Sequence, residues 1–374
     1  MKGRRRVRRP VRRRALSDEQ VAPSETTPNR TPGPSSAPDA AQRWPGGIRG
    51  RLFAAYLLRL VVLALCYYAG GRLGLLWKVA VEGAIVTPFW PPTGIAVAGL
   101  LFFGLRVWPG VALGALLVLL TMGPLSWTAL GSVAGSTLGP LLACVLLRRV
   151  GFREQVDRLR DGVSLVFLGA FLGMAVSATA GCLMLVAGNN IRLPEFWPVW
   201  SAWWAGDAVG VLVVTPLLLS LPKLGRPRSW LQATEAVGLG AATVAVAVVV
   251  TRAPIDLLFL VFPLLVWAAL RFRLVGSAVS TTILAIAATG AATDRTGVFA
   301  RQDLITDMVT LQALNGSAAL TTLLLAAVTA EKHNTHRRIA AACDDLAEMV
   351  EVLAPQGRGP RSFPAGGRTG QRQG

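Results

Sequence analysis

The residue with the most chemical potential in this chain is a carboxylate in an apolar run. Asp207 stands in Trp-Ser-Ala-Trp-Trp-Ala-Gly-Asp-Ala-Val-Gly (200–210), within a stretch from Trp197 to Leu221 that is otherwise almost free of charge. An ionised side chain at the centre of a membrane helix costs roughly 2.5–3.5 kcal/mol on insertion scales, so it calls for a partner. Trp200, Trp203 and Trp204 precede it by seven, four and three residues, which is much the same face of a helix. A carboxylate beneath indole rings suits a cationic or polar ligand. The plainer alternative is an interfacial tryptophan belt, to which Trp197 belongs, with Asp207 paired to an arginine such as Arg59.

A second stretch, Thr87–Gly94, reads Thr-Pro-Phe-Trp-Pro-Pro-Thr-Gly. Pro91 and Pro92 remove two backbone donors and exclude a helix interior across them. In lipid such a break is tolerated at an interface, in a protein-lined cavity or against neighbouring helices. The segment is therefore a surface loop or a cavity wall, with Trp90 and Thr93 facing a defined space in the second case. Glu82 precedes it, on a poorly apolar segment beside Lys78. Gln312 and Asn315 fall inside the last apolar run, where hydrogen bonding between helices is the expected role. Asp256, Asp294 and Asp307 fall at the ends of apolar runs, where charge is cheap.

Signals for catalysis are absent. The only histidines, His333 and His336, lie in a basic flank, so no metal cluster or nucleophile–base pair can be assembled from them. There is no glycine-rich phosphate loop of either common type. The four cysteines (Cys66, Cys144, Cys182 and Cys343) fit no metal spacing, and three of them sit in apolar runs as small hydrophobes. No enzyme activity, cofactor or metal is expected.

The elements that position these residues are membrane helices. The chain has 374 residues, 53% of them apolar, and a mean hydropathy of +0.51. Apolar runs of the length a bilayer demands recur from Leu52 to Ala330. The reading is an all-α, polytopic membrane bundle of about eight to ten transmembrane helices. Ten spans fit the pattern, with turns at 105–108, 148–160, 223–230, 271–273 and 331–338 that carry Lys and Arg. The turns between them carry few, which places both termini in the cytoplasm. Spans two and three, 93–105 and 110–122, are short enough to pair as an interrupted hairpin. Small residues four apart (Gly110/Gly114, Gly131/Gly135/Gly139, Gly169/Gly173, Gly206/Gly210) are a signal for close helix packing.

The net charge of +18 is concentrated at the N-terminus, where nine of the first fourteen residues are Lys or Arg. Without a folded or aromatic reading module beside it, this run fits anionic lipid or cytoplasmic retention, and no nucleic acid is expected as a partner. Residues 1–50 form a disordered basic tail, 51–332 the integral domain, 333–354 a short cytoplasmic helix and 355–374 a second disordered tail. In that helix Ile339, Ala342, Leu346, Met349 and Leu353 recur at steps of three and four, the seam of a two-helix contact, and a homodimer is one way to fill it. The seam lasts only about two heptads, and a short amphipathic flank on the membrane surface reads equally from it.

Two stretches carry a resemblance. Phe-Trp-Pro-Pro-Thr-Gly-Ile-Ala-Val-Ala-Gly-Leu-Leu (89–101) with Arg-Val-Trp-Pro-Gly-Val-Ala-Leu-Gly-Ala (106–115), and Trp-Trp-Ala-Gly-Asp-Ala-Val-Gly-Val-Leu-Val-Val-Thr-Pro-Leu-Leu-Leu (203–219), together resemble the first family of membrane-associated sensor domains. The likeness runs from about Leu52 to His336. It implies a multi-pass sensory module of the bacterial inner membrane, with an unknown small-molecule signal. Such a module usually precedes a histidine kinase, a diguanylate cyclase or a phosphodiesterase. About forty residues follow the last span, too few for such an output, so a separate kinase or cyclic-nucleotide enzyme is the expected partner. Trp90, Pro91, Pro92, Thr93, Gly94, Trp204, Gly206, Asp207 and Gly210 are the motif positions. With Trp203 from the helical-face argument, all but Gly206 make up the candidate signal-binding set. A small-molecule transporter is the alternative, since both motifs open a span running the same way, four spans apart.

Overall fold

The structure, a computed structural model, describes residues 46–81, 84–225, 229–253, 257–300 and 304–353. Both tails outside those bounds, Glu82 and Asp256 lie outside the described residues. Ten α-helices are found among the described ones: α1 (Gly46–Gly74), α2 (Pro91–Phe103), α3 (Trp108–Leu120), α4 (Trp127–Arg149), α5 (Leu159–Ser164), α6 (Gly173–Ala187), α7 (Phe196–Ser220), α8 (Trp230–Arg252), α9 (Val261–Thr293) and α10 (Leu304–Leu353). A π-helical stretch, Leu165–Leu172, joins α5 to α6 without a break. Seven helical segments are long and apolar enough to cross a membrane, and α2 and the Leu105–Leu120 segment are shorter apolar helices. The protein is an all-α, multi-pass membrane bundle.

The short second and third helices are joined by a single turn at Leu105–Val107, and both pack on α1. Gly99 of α2 packs on Leu63 of α1, and Gly110 of α3 meets the Leu60 backbone. The Tyr56 hydroxyl donates to the Arg106 carbonyl at their connecting turn, 3.1 Å away. The helix α9 is two arms. Arg273 has φ 52° and ψ −134°, which no helix interior permits. A Cβ at Gly276 would lie 2.6 Å from the Ala268 carbonyl oxygen, so the chain folds back there. Val261 and Leu265 accordingly share a core cluster with Ala288 and Ala291.

Small residues set the closest helix contacts. Gly135 and Gly139 of α4 face Ala180, Ser177 and Gly173 of α6, and Gly114 of α3 faces Tyr67 of α1. Hydroxyls bridge the second arm of α9 to α10: Ser277 donates to the Thr322 carbonyl, and Thr281 and Thr322 share a bond of 2.9 Å. The apolar outer faces, such as Leu58, Val62, Phe167 and Val249, are exposed, as a lipid solvent requires.

One end of the bundle is basic and holds the 150–160 loop against neighbouring helices. Lys223 donates to the Gln155 carbonyl, Asn334 to Asp157 Oδ2 at 3.2 Å, and the Leu159 N–H to Glu331 Oε2 at 3.0 Å. Asp161 accepts from the Arg153 N–H, and Arg148 caps the α2 terminus by donating to the Leu100 carbonyl. Val156, buried in this loop, has φ 46°, a conformation unusual for a β-branched residue. At the opposite end lies a small antiparallel hairpin, β1 (Val79–Val81) with β2 (Ala84–Val86), register Val79 to Val86. The sequence reading missed it, although Val-Ala-Val and Ala-Ile-Val are short β-favouring runs on either side of Glu-Gly.

Candidate functional site

The two motifs read from the sequence meet each other. Trp90 is the N-cap of α2, and Pro91 and Pro92 occupy its first turn, where missing N–H groups and a preset φ cost nothing. Before it, residues 87–90 run along α7. The Trp90 N–H donates to the Gly206 carbonyl at 3.2 Å. Thr93 Oγ1 lies 2.9 Å from the Trp90 carbonyl and 3.1 Å from that of Asp207. Thr215 donates across the same contact to the Gly94 carbonyl at 3.2 Å.

Three glycines make that approach possible. A Cβ at Gly206 would stand 2.2 Å from the Thr87 carbonyl oxygen, one at Gly210 2.0 Å from that of Trp90, and one at Gly94 2.3 Å from that of Gly210. No side chain can yield there, because each clash is with backbone. Pro91, Pro92, Gly94 and Gly210 therefore build the joint between α2 and α7. None of these four lines the cavity beside it. Gly206/Gly210 is a packing motif as read, but its partner includes an extended segment as well as a helix.

Beyond the joint is a cavity of about 90 Å³. A single water needs roughly 10–15 Å³ on the same measure, so this one holds several waters or a small organic molecule. Its polar wall is Asp207, Tyr67, Ser132, Ser136 and Thr87, and the indoles of Trp90 and Trp203 flank it. Leu75, Ile85, Val86, Ala115, Val118, Leu119 and Met122 form the apolar remainder. Ile85 and Met122, 49% and 43% exposed, mark the rim at the hairpin end.

Asp207 is 1% exposed. Its Oδ2 accepts from Ser177 Oγ at 2.8 Å, and the Trp203 side chain reaches the same carboxylate. None of the ion pairs among the described residues involves it. The pairing with Arg59 is corrected here: Arg59 lies over the Phe103 ring, 5.9 Å from its centroid, about two turns before Tyr67 along α1. Tyr67 is 1% exposed, with the Trp90 and Ser136 side chains within hydrogen-bonding reach.

The tryptophans divide. Trp203 enters the cavity wall, and its ring fills the space left by Gly181, whose Cβ would be 2.6 Å from it. Trp204 points away. It donates to the Phe171 carbonyl at 2.9 Å, stacks on Trp200 at 5.7 Å and 9°, and tilts against Phe171. Adjacent residues on a helix are about 100° apart, which is why Trp203 and Trp204 cannot both face one cavity. Trp200 in turn donates to Thr179, and Trp197 is 69% exposed.

Sequence reasoning missed Tyr67, Ser132, Ser136 and Ser177 as site residues. Single hydroxyls in apolar helices carry no pattern of their own. Gly131-x-x-x-Gly135-x-x-x-Gly139 was the available signal, since it marks the α4 face that approaches α6 and carries Ser132 and Ser136 beside it. Gln312 does bond between elements, donating to the Pro88 carbonyl at 2.7 Å. Asp294 lies 3.6 Å from Arg252 at the hairpin end.

A bundle of apolar helices joined by two Gly/Pro motifs around a buried carboxylate is a membrane domain with a polar cavity toward its hairpin end. The MASE1 family model matches residues 59–333, most of the chain, and the chain belongs to the MASE1 family. This is a family of membrane sensory domains and not a catalytic one. No curated protein and no solved structure matches the chain.

Proposed function

We propose that the protein perceives a small-molecule signal in the Asp207 cavity and passes it along α10 to a cytoplasmic partner. One observation carries this reading. Thr87 and Trp90 line the cavity, and between them the Pro88 carbonyl is held by Gln312 of α10. A ligand that presses on the 87–90 segment therefore presses on α10 through one hydrogen bond. The helix α10 is a single one of 50 residues, about 75 Å long, and from Gln312 it runs on past the basic loop at Glu331 and Asn334.

The basic end faces the cytoplasm in this reading, by the excess of Lys and Arg in its turns, so both termini are cytoplasmic and the cavity opens outward. The membrane is the bacterial inner membrane. Past residue 338 the α10 surface is exposed, with Ile339, Leu346 and Met349 at 56%, 57% and 54%. That seam is offered to the partner, a histidine kinase or a cyclic-nucleotide enzyme, or to a second copy of the chain. The boundaries 51–332 for the sensor and 333–354 for the output helix follow from this division of labour.

The test is a thermal-shift screen of small metabolites on purified protein in nanodiscs, repeated on Ala115→Leu. Ala115 lines the cavity and is 4% exposed, so the larger side chain occupies ligand space. Hits that stabilise the parent and not Ala115→Leu support the site. Hits that act equally on both place the signal elsewhere. Uptake of a hit into sealed proteoliposomes would assign the cavity to transport instead.

A further inference from the structure

Resting on that reading of the site, we infer that the cavity takes a small primary ammonium compound with a short apolar tail. The argument begins with charge. Asp207 is 1% exposed, and no cationic side chain among the described residues forms an ion pair with it. A carboxylate in such a place is compensated by a cation or by a proton, and the cavity beside it has room for the first. Ser177 donates to the carboxylate from α6 at 2.8 Å and is not itself part of the wall, so it orients the group toward the cavity.

The neighbouring polar atoms suit an ammonium head. A primary ammonium has three N–H donors and no acceptor, so it needs three acceptors around one point. The wall offers a carboxylate together with the hydroxyl oxygens of Tyr67, Ser132 and Ser136. Trp90 and Trp203 flank the same space, and an indole face adds cation–π attraction. An anionic ligand would meet the carboxylate with no arginine or lysine in the wall to offset it.

The rest of the wall sets the tail. From the polar floor to the rim at Ile85 and Met122, the lining includes Leu75, Ala115, Val118 and Leu119. At roughly 10–15 Å³ per water-sized unit, the cavity of about 90 Å³ admits on the order of six to nine non-hydrogen atoms. An alkyl ammonium of four to six carbons, head at Asp207 and tail toward the rim, matches both the polarity gradient and the size.

The experiment is calorimetric titration of the full chain in nanodiscs with n-butylammonium, 1-butanol, butyrate and tetramethylammonium at one ionic strength. The expected order is butylammonium tightest, butanol at least about tenfold weaker, and butyrate without binding. Removing one partner of a buried charge pair should cost about thirtyfold or more, so Asp207→Asn should lose the preference for butylammonium and keep butanol. If the variant does not fold, the parent protein supplies the second measurement. Carbodiimide modification of Asp207, read by mass spectrometry as the sum of the N-acylurea and the butylamide that the free amine forms with release of the urea, should be slowed by butylammonium and untouched by butanol. Equal binding of butanol and butylammonium overturns the ammonium class and leaves the cavity as a site for neutral ligands. Tighter tetramethylammonium overturns the primary head in favour of an aromatic cage. No binding of any probe, with labelling unaffected, overturns this inference while the metabolite screen still decides the site.

Discussion

Substituting Gly210 by alanine strikes the joint between α2 and α7 where it has least freedom. The new Cβ would lie 2.0 Å from the Trp90 carbonyl oxygen. A carbon and a carbonyl oxygen rest at about 3.3 Å or more, so the two backbones must part by about 1.3 Å. Both sides are main chain, and the movement loosens the Trp90 N–H bond to Gly206 and the Thr93 bond to Asp207. Overpacking costs about 1–3 kcal/mol, each weakened bond about 0.5–1.5 kcal/mol, and alanine returns about 1 kcal/mol of helix propensity. These terms span about 1–5 kcal/mol, and because the two bonds are weakened rather than broken the expected net loss is about 2–3 kcal/mol. At about 2–4 °C per kcal/mol for a domain of this order, the midpoint should fall by about 4–12 °C. The assay is thermal unfolding in nanodiscs followed by tryptophan emission. Gly238→Ala in α8 is the control, because nothing lies within 4 Å of its Cβ position. It should be neutral or stabilising by up to about 1 kcal/mol. If Gly210→Ala melts with the parent, the backbone contact between the two motifs is not what holds them together.

Other expectations follow from the same contacts. Trp204→Phe removes the bond to the Phe171 carbonyl and should lower stability by about 1 kcal/mol with ligand affinity unchanged, whereas Trp203→Phe should change affinity more than stability, both read by melting and titration. The double variant Glu331→Ala, Asn334→Ala frees the 150–160 loop, so limited trypsin digestion should cut after Arg158 or Arg160 several times faster than in the parent. Leu346→Asp places a charge in the exposed seam of α10 and should abolish self-association or partner capture in a two-hybrid assay without altering the melting midpoint. A reporter fused after residue 353 should be active only in the cytoplasm.

Most of the architecture could be read from hydropathy, because lipid allows few alternatives to a helix. The α9 reversal was legible in Arg271-Phe272-Arg273, where two cations interrupt an apolar run. Asp207 was legible as a lone carboxylate, and Pro91-Pro92 as a helix start. What the sequence could not give was direction around a helix axis. Trp203 and Trp204 are neighbours in sequence, and only packing decides that one meets Gly181 and the other Phe171. The bond from Gln312 to Pro88 joins residues 224 apart, and no local pattern announces it. Glycine spacing pointed to close packing, yet at Gly206 and Gly210 the partner includes the extended run before α2, a choice made by the two prolines.

The route from cavity to output rests on that single bond at Pro88. Hydrogen exchange of the amides of residues 331–353, with and without saturating n-butylammonium or whichever ligand the screen supplies, tests it most directly. In the parent, occupancy should change the exchange of this segment, and in Gln312→Leu the ligand should still bind while the change disappears. Binding with no change in the parent, or an equal change in Gln312→Leu, would contradict a signal carried from the cavity to α10 through the 87–90 segment.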